Sequence, residues 1–405
     1  MHVLVEGLGG SSGWPQPGCR CTSCLRCRAA GTIRKRSTIV VDGVLRLGGG
    51  ADGAESGGAD GADGADGADG ADGADGAGFL VRRLPDARGG EGNGGDEGDG
   101  GDAAGLGGWE VTSPDGMRLL YPAGPGAVPD PPEGAARYDI AFLDMLGNPA
   151  QLGRLRARGL VTADTITAVA FADHRVSGAA ELKRRCGFWR VEVPADGEAV
   201  TTPRSAQGSE GLTGIVRWVP WRVLVIGGAR SGKSERAELR LAAEPEVTYV
   251  AADPRTSRWR DGAGDPDWAA RVAAHRARRP AWWRTAETID LAGVLASARG
   301  AVLIDGIGTW LTAVLDECDA WGGTREKVAD RIAELIAAWR QTRALVVAVS
   351  DEAGMGVVPA TPAGRLFRDE LGRLNQALAA ESEETELIVA GRILPLNAWE
   401  QDTAR

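Results

Sequence analysis

The sequence is poor in histidine, with only His2, His174 and His275 among 405 residues, which leaves little room for an imidazole-rich metal centre. It also lacks long apolar runs: nothing approaches the roughly 18 consecutive apolar residues that a membrane helix needs. Its first residues, MHVLVEGLGG, carry neither a basic region nor an apolar signal core, so a cytoplasmic protein without a membrane span is expected. Cysteine is scarce too. Four of the six, Cys19, Cys21, Cys24 and Cys27, sit within nine residues, too close together for a disulfide framework and open to either metal ligation or simple burial. A basic excess is absent: the formal net charge is -10, which gives no support for a nucleic-acid partner.

What is abundant is glycine, with 60 residues, concentrated between Gly49 and Gly108. That stretch holds 14 acidic residues against Arg82, Arg83 and Arg88, leaving 43 basic and 42 acidic residues elsewhere. The acidity therefore belongs to one insert. Ala59 to Gly76 is six successive Ala-Asp-Gly triplets, which offer almost nothing to bury and cannot offset their ordering entropy. Without proline the triplets have no conformational reason to form a collagen-like helix. Residues 49–108 are accordingly expected to be a disordered, low-complexity acidic insert.

Either side of the insert, HVLVEGLG, STIVVDGVLRLG, GMRLLYPA and YDIAFLDML read as strands broken by glycine turns, so one domain, residues 1–200, is interrupted by a loop. A polar stretch, DGEAVTTPRSAQGSEGLT, then supplies a linker, taken as 201–220, with the boundary near Gly214. In residues 221–405 five apolar runs recur: VLVIG (223–227), VTYVAA (247–252), AVLIDGI (301–307), LVVAVS (345–350) and LIVAG (387–391). Helix-like segments separate them, the clearest being TREKVADRIAELIAAWR, with Val328, Ile332, Leu335, Ile336 and Trp339 on one face. Strands without polar alternation, divided by helices, predict an α/β domain whose parallel sheet is covered on both sides.

The sharpest motif is GGARSGKS, comprising Gly227, Gly228, Ala229, Arg230, Ser231, Gly232, Lys233 and Ser234, between an apolar run and a helix-like segment. It fits the phosphate-loop pattern, in which glycines let backbone N–H groups wrap an anion, the lysine neutralises the outer phosphates and the Ser/Thr hydroxyl binds magnesium. A second acid is needed to hold Mg2+. Asp305, ending the run AVLID, is the candidate. His275 lies among Arg271, Arg276, Arg278, Arg279 and Arg284. An imidazole amid guanidinium groups is biased toward its neutral, nucleophilic form. An exposed histidine on a basic helix is the alternative.

The phosphate loop, AARVAAHRARRPAWWRTAET, VLIDGIGTWLT, SDEAGMGVVPATPAGRLFRDELGRLNQALA and LIVAGRILPL occur in that order. Together they resemble the bifunctional adenosylcobinamide kinase / adenosylcobinamide-phosphate guanylyltransferase family of cobalamin biosynthesis, over roughly residues 222–396. The resemblance implies a P-loop NTPase-type parallel sheet with flanking helices, and ATP, GTP and Mg2+ as the nucleotide and metal requirements. It implies phosphorylation of adenosylcobinamide, then transfer of GMP from GTP through a histidine-GMP intermediate on His275, giving adenosylcobinamide-GDP. It further implies catalytic roles for His275 and Lys233, with Mg2+ at Ser234 and Asp305. Nucleotide contacts would come from Gly227 to Ser234, from Ala252, Asp253 and Pro254, from Arg276, Ala277, Arg278 and Arg279, and from Glu287 and Asp305. Asp305 stands where some members carry glutamate. Arg365, Arg368 and Asp369 would contact substrate or a neighbouring subunit, the last two alternatively forming an exposed ion pair at a helix start. A homotrimer is also implied. Competing readings are another phosphate-loop kinase or NTPase in which His275 is inert, and a nucleotide-binding scaffold that has lost activity.

GLGGSSGWPQPGCRCTSCLRC followed by RKRSTIVVDG resembles the opening of metallo-β-lactamase-fold phosphodiesterase-like proteins, in which closely spaced cysteines help bind a structural zinc. By that resemblance Cys19, Cys21 and Cys24 would supply three Zn2+ ligands, with Cys27 or a remote histidine as the fourth. The H-x-H-x-D-H cluster such a hydrolase needs is missing, and the acidic insert stands in its expected place. A degenerate αββα domain is therefore expected. Asp144, Asp173 and His174, in FLDML and FADHR, are open to being remnants of metal ligands, but three scattered groups do not make a site, and burial or capping is the reading preferred.

Overall fold

The computed structural model describes residues 1–48, 54–56, 73–74, 78–87, 105–202, 221–252, 273, 276–322 and 325–396. The chain forms two compact units, Met1–Val216 and Arg217–Arg405.

The first unit runs β1 (His2–Gly7), α1 (Thr22–Ala29), β2 (Thr38–Val41), β3 (Leu45–Gly48), β4 (Ala54–Ser56), β5 (Gly73–Ala74), β6 (Leu80–Pro85), β7 (Leu106–Thr112), β8 (Arg118–Pro122), β9 (Ile140–Leu143), α2 (Ala150–Ala157), β10 (Ile166–Val169), α3 (Ala179–Trp189) and β11 (Ala199–Thr201). Two sheets result, ordered β11-β1-β2-β3-β4 and β10-β9-β8-β7-β6-β5. The first is antiparallel throughout. The second is parallel across β8, β9 and β10 and antiparallel elsewhere. A hydrogen bond of 2.9 Å between Ser37 Oγ, just before β2, and Tyr121 Oη on β8 joins the two sheets. Around that phenol, Phe142 and Phe171 pack their rings at centroid distances of 5.8 and 6.1 Å.

Part of the stretch expected to be disordered is strand. β6 pairs with β7 from Leu80↔Thr112 to Pro85↔Leu106, so the insert as drawn from 49 to 108 is too wide. The reason is that FLVRRLP, unlike the triplets around it, has apolar surface to bury: Phe79 and Leu84 are 3% and 1% exposed. Most of the Ala-Asp-Gly tract lies outside the described residues.

The second unit runs β12 (Trp221–Gly227), α4 (Lys233–Leu241), β13 (Val247–Ala251), β14 (Arg284–Glu287), α5 (Leu291–Ser297), β15 (Ala301–Asp305), α6 (Ile307–Glu317), α7 (Glu326–Gln341), β16 (Leu345–Asp351), α8 (Pro362–Ala380), β17 (Glu384–Val389) and β18 (Arg392–Pro395). Its seven-stranded sheet has the order β14-β13-β15-β16-β12-β17-β18, parallel except for the terminal β17/β18 hairpin. All five apolar runs of the sequence are strands of this sheet. Their lack of alternation follows from burial on both faces. Leu224, Ile226, Ile304 and Ala348 face a core with Trp310, Leu311, Trp339 and Leu371 from α6, α7 and α8. Val223, Val225, Tyr249 and Leu303 face the other, with Ala237 and Leu241 of α4.

Helix ends are set locally. Asp290 caps α5 by accepting from the Gly293 N–H, and Thr361 caps α8 by accepting from that of Gly364, with Pro362 opening the helix where its missing N–H is harmless. Helix α4 is also tied to β17 by a buried ion network: Arg236 reaches Glu386 through Nε at 2.9 Å and Nη2 at 2.7 Å, and Arg240 reaches Glu386 at 3.0 Å and Glu384 at 2.7 Å. Among the described residues no helix is long and apolar enough to cross a membrane.

Candidate functional site

Strand register collects the candidate groups on one edge of the second sheet. Glu287 pairs with Ala251, Ala251 with Asp305, and Asp305 with Val349, so these residues share one row. Gly227 and its partner Asp351 stand two residues further along the same carboxyl edge. Parallel α/β sheets present their ligand crevice at this edge.

The phosphate loop turns between the end of β12 and the start of α4. At Gly227 an added Cβ would lie 2.5 Å from Ser231 Oγ and 2.8 Å from the Ile388 carbonyl, so only glycine fits. Gly232 has φ 98°, a left-handed conformation that glycine adopts at no steric cost. The loop is braced from outside by the Gly391 N–H, which donates to the Ser231 carbonyl at 2.9 Å. Inside it, the buried Ser231 Oγ has no hydrogen-bond partner among the described residues, an orphan donor in the cradle where an anion would bind.

Lys233 Nζ lies 2.9 Å from Asp351 Oδ1 and donates to the Gly228 carbonyl at 3.2 Å. Ser234 and Asp305, far apart in sequence, meet: the Ser234 hydroxyl donates to Asp305 Oδ1 at 3.2 Å. A hydroxyl and a carboxylate at the head of the phosphate loop are hard oxygen donors suited to Mg2+. The second oxygen of Asp305 accepts from the Tyr249 hydroxyl at 2.8 Å. Burial, reinforced by the Asp305 carboxylate, pushes the Tyr249 phenol well above its ordinary value, so it stays a donor.

The arginine segment lies alongside. Arg278 pairs with Glu238 of α4 through Nε at 2.9 Å, Arg276 approaches Glu287 at 3.4 Å, and the Arg279 guanidinium sits 3.6 Å above the centre of the Tyr249 ring. Arg276, Arg279, Trp283 and Glu287 line a cleft of about 550 Å3. Ala277 is exposed, and Ala252 is buried at the end of β13. His275, Asp253 and Pro254 lie outside the described residues. Beyond β16, Arg368 pairs with Asp369 at 3.0 Å, and Arg365 donates to the Pro359 and Ala360 carbonyls.

Tyr249, Glu238 and Asp351 were not singled out by sequence. Asp351 had a signal, since it directly follows the fourth apolar run. Tyr249 sits inside an apolar run, and Glu238 inside a charged helix, where nothing marks them.

In the first unit, Sγ of Cys19, Cys21 and Cys24 and a ring nitrogen of His174 all lie within 4.8 Å of one another. Cys21 is the N-cap of α1, its sulfur accepting from the Cys24 N–H at 3.5 Å, a contact that holds the Cys21 thiol below its ordinary value. Burial pushes the Cys24 thiol up to about 11. Arg28 steadies the preceding loop by donating to the Cys19 carbonyl at 2.6 Å and the Gln16 carbonyl at 2.7 Å. His174 reaches the cluster because its strand end is stitched to that of β1, with Ala172 N–H donating to the Leu8 carbonyl and Gly10 N–H to the Ala172 carbonyl. Cys27, buried on α1, is not part of the cluster.

Residues 223–396 match the family model described as cobinamide kinase / cobinamide phosphate guanyltransferase. The chain is 41% identical over 183 residues to the bifunctional adenosylcobalamin biosynthesis protein CobP of Pseudomonas aeruginosa, covering 43% of this chain and 96% of that one. It is 38% identical over 181 residues to CobU of Salmonella typhimurium and 36% identical over 181 to CobU of Escherichia coli, covering 42% of this chain and 96% of the relative in both cases. Among solved structures, an ATPase domain is similar at 12% identity and a TM-score of 0.24, over 41% of this chain and 68% of that one. With nearly the whole length of three relatives matched at these identities, and with the phosphate loop, Ser234 and Asp305 meeting on one sheet edge, the chain belongs to the cobinamide kinase / cobinamide phosphate guanyltransferase family.

Proposed function

We propose that residues 221–405 phosphorylate the aminopropanol hydroxyl of adenosylcobinamide with ATP or GTP and then join GMP to the new phosphate. The observation that carries the first step is the meeting of Ser234 and Asp305 at 3.2 Å beside Lys233 in a glycine-built loop. Ser234 and Asp305 would hold Mg2+, which supplies charge neutralisation on the outer phosphates. Lys233 would leave Asp351 and meet the transferred phosphoryl group, and the loop N–H groups would orient the nucleotide.

For the second step, His275 attacks the α-phosphorus of GTP and pyrophosphate leaves, forming a P–N bond to the imidazole. The cobinamide phosphate oxygen then displaces the histidine, giving a diphosphate and restoring the ring. Splitting the transfer in two replaces one difficult displacement with two easier ones. Arg276 and Arg279, following His275 and lining the 550 Å3 cleft, support this reading as neutralisers of the α-phosphate. The test is incubation with GTP labelled at the α-phosphate, using wild type and His275→Ala. Acid-labile, base-stable label present in wild type and lost in the variant is the expected result; no label in a protein that still binds GTP would leave only the kinase.

For the first unit we propose a structural Zn2+ site at Cys19, Cys21, Cys24 and His174. The four donor atoms within 4.8 Å support it, since tetrahedral Zn2+ with bonds of about 2.0–2.3 Å needs donors only modestly closer. The soft donor set suits zinc, and the fourth position goes to the histidine rather than to Cys27. Metal analysis should return about one zinc per chain and none in a Cys21→Ser, Cys24→Ser variant. The two-sheet architecture supports reading this unit as a metallo-β-lactamase-like domain without its hydrolytic histidines. A cytoplasmic homotrimer is the assembly the family resemblance implies.

A further inference from the structure

Tyr249 touches both halves of the site. Its side chain is 7% exposed on β13, its hydroxyl donates to Asp305 Oδ2 at 2.8 Å, and the face of its ring carries the Arg279 guanidinium at 3.6 Å. The other oxygen of Asp305 accepts from Ser234. A carboxylate at a strand end can rotate about its last bond. A buried donor on one oxygen removes that freedom and turns the other oxygen toward the serine. The ring, in turn, gives a planar guanidinium a surface on which its charge is attracted and its orientation fixed.

We propose that Tyr249 is a positioning residue for the metal and nucleotide site: its hydroxyl fixes Asp305 beside Ser234, and its ring seats Arg279. One side chain thus holds the acid of the phosphate loop and the arginine segment in a common frame. The proposal rests on the reading of Ser234 and Asp305 as the metal-holding pair.

The experiment uses the full-length protein, Mn2+ as the metal probe and a non-hydrolysable GTP analogue, with free Mn2+ read by electron paramagnetic resonance, so no turnover is needed. Tyr249→Phe keeps the ring and removes the hydroxyl; a hydrogen bond to a charged group lost in a partly buried site should weaken Mn2+ binding about tenfold. Its affinity for the analogue without metal should stay within about twofold of wild type. Tyr249→Leu should lose that metal-free affinity as well, because Arg279 loses its seat. In the double variant with Asp305→Asn, the tyrosine change should add nothing further, as two groups acting through one contact are not additive. In the kinase assay Tyr249→Phe should raise the Mg2+ concentration needed for half-maximal rate more than it lowers kcat. Unchanged Mn2+ affinity in Tyr249→Phe, or effects that multiply in the double variant, would overturn the proposal. Absence of a Mn2+ site in wild type would overturn both proposal and parent reading. A wild type that binds Mn2+ with the analogue yet never phosphorylates cobinamide would defeat the functional reading alone, and the Mn2+ series would still decide the role of Tyr249.

Discussion

Arg278 grips Glu238 with two nitrogens, Nε at 2.9 Å from Oε2 and Nη2 at 3.3 Å from Oε1. Glu238 is on α4, the helix that opens with Lys233 and Ser234, so this pair pins the arginine segment to the helix of the phosphate loop. The Glu238 carboxylate is largely buried, whereas Arg278 is 42% exposed. Arg278→Ala should therefore leave the helix folded and release the segment. We expect label transfer from GTP to fall more than about tenfold and cobinamide phosphorylation to fall less than about threefold, since only the first needs the segment in place. Equal losses in the two assays on the same preparations would mean that the pair serves α4 instead.

Lys233 is held by Asp351 at 2.9 Å, and must exchange that carboxylate for phosphate oxygens when nucleotide arrives. The pair is partly solvated, the Asp351 side chain being 46% exposed, so the contact is worth little on its own. Asp351→Asn should tighten nucleotide binding by about two- to fivefold, the size expected for a partly exposed pair. Titration with a fluorescent nucleotide checks it, with Lys233→Ala as the control that weakens binding. Weaker binding in Asp351→Asn would show that the carboxylate orients the lysine for its ligand rather than competing for it.

The sheet and loop of the second unit were legible because their signals are local. Buried parallel strands must be continuous apolar runs, and the loop must carry glycines where Gly227 abuts Ser231 and Ile388. β14 escaped notice because RTAE, an edge strand with exposed arginine and threonine, has no apolar face to advertise. β6 was swallowed by its glycine-rich surroundings. Tyr249 and Glu238 could not be found at all by spacing, since their roles depend on partners 56 and 40 residues away. The cysteine cluster was half legible: the tight spacing drew attention to Cys19, Cys21 and Cys24, while His174 reaches them through the stitching of β1 to Ala172, which no spacing announces.

Glu386 sits between Arg236 and Arg240 with all three side chains 5–6% exposed. Replacing it with glutamine would leave two buried guanidinium groups around a neutral amide. Breaking a buried pair by removing one charge costs about 3–5 kcal/mol. Urea denaturation followed by the tryptophans of the second unit should show a loss of that size in Glu386→Gln. A smaller loss, under about 1 kcal/mol, would indicate that Glu384 takes over both arginines.

The entry to β12 carries a pH dependence. Glu383 is partly buried, which alone would raise its carboxyl, but hydrogen bonds from the Arg222 side chain and backbone hold it below the ordinary carboxylate range. A carboxyl depressed in the folded state contributes stability above its unfolded value of about 4.3, and that contribution is lost as pH falls through the folded value. Stability should be level from pH 7 to about 5 and decline below about 4. Glu383→Gln should flatten this part of the acid decline while lowering stability at pH 7. Identical acid profiles for wild type and variant would assign the decline to other carboxylates.

Asp144 and Asp173, which the sequence presents as separate buried or capping groups, converge on one guanidinium. Arg175 donates to both oxygens of Asp144 at 2.8 and 3.0 Å and through Nε to Asp173 at 2.8 Å, while Asp144 also accepts from the backbone N–H groups of Gly126, Leu146 and Gly147. The guanidinium supplies the positive charge that two facing carboxylates require. Its second effect falls on His174, which is flanked by Asp173 and Arg175 and therefore has both neighbours' side chains pinned. Arg175→Ala should destabilise the first unit by about 3 kcal/mol, because Asp144, 2% exposed, loses the guanidinium that balances its charge. It should also weaken binding of Co2+, read by its tetrahedral absorption bands, at the cysteine–histidine cluster. Arg175→Lys restores a charge without the two-pronged geometry, so stability should recover further than Co2+ affinity. If Arg175→Ala loses stability and yet holds Co2+ as tightly as wild type, the direction of His174 is set by the backbone bonds of Ala172 and Gly10 alone.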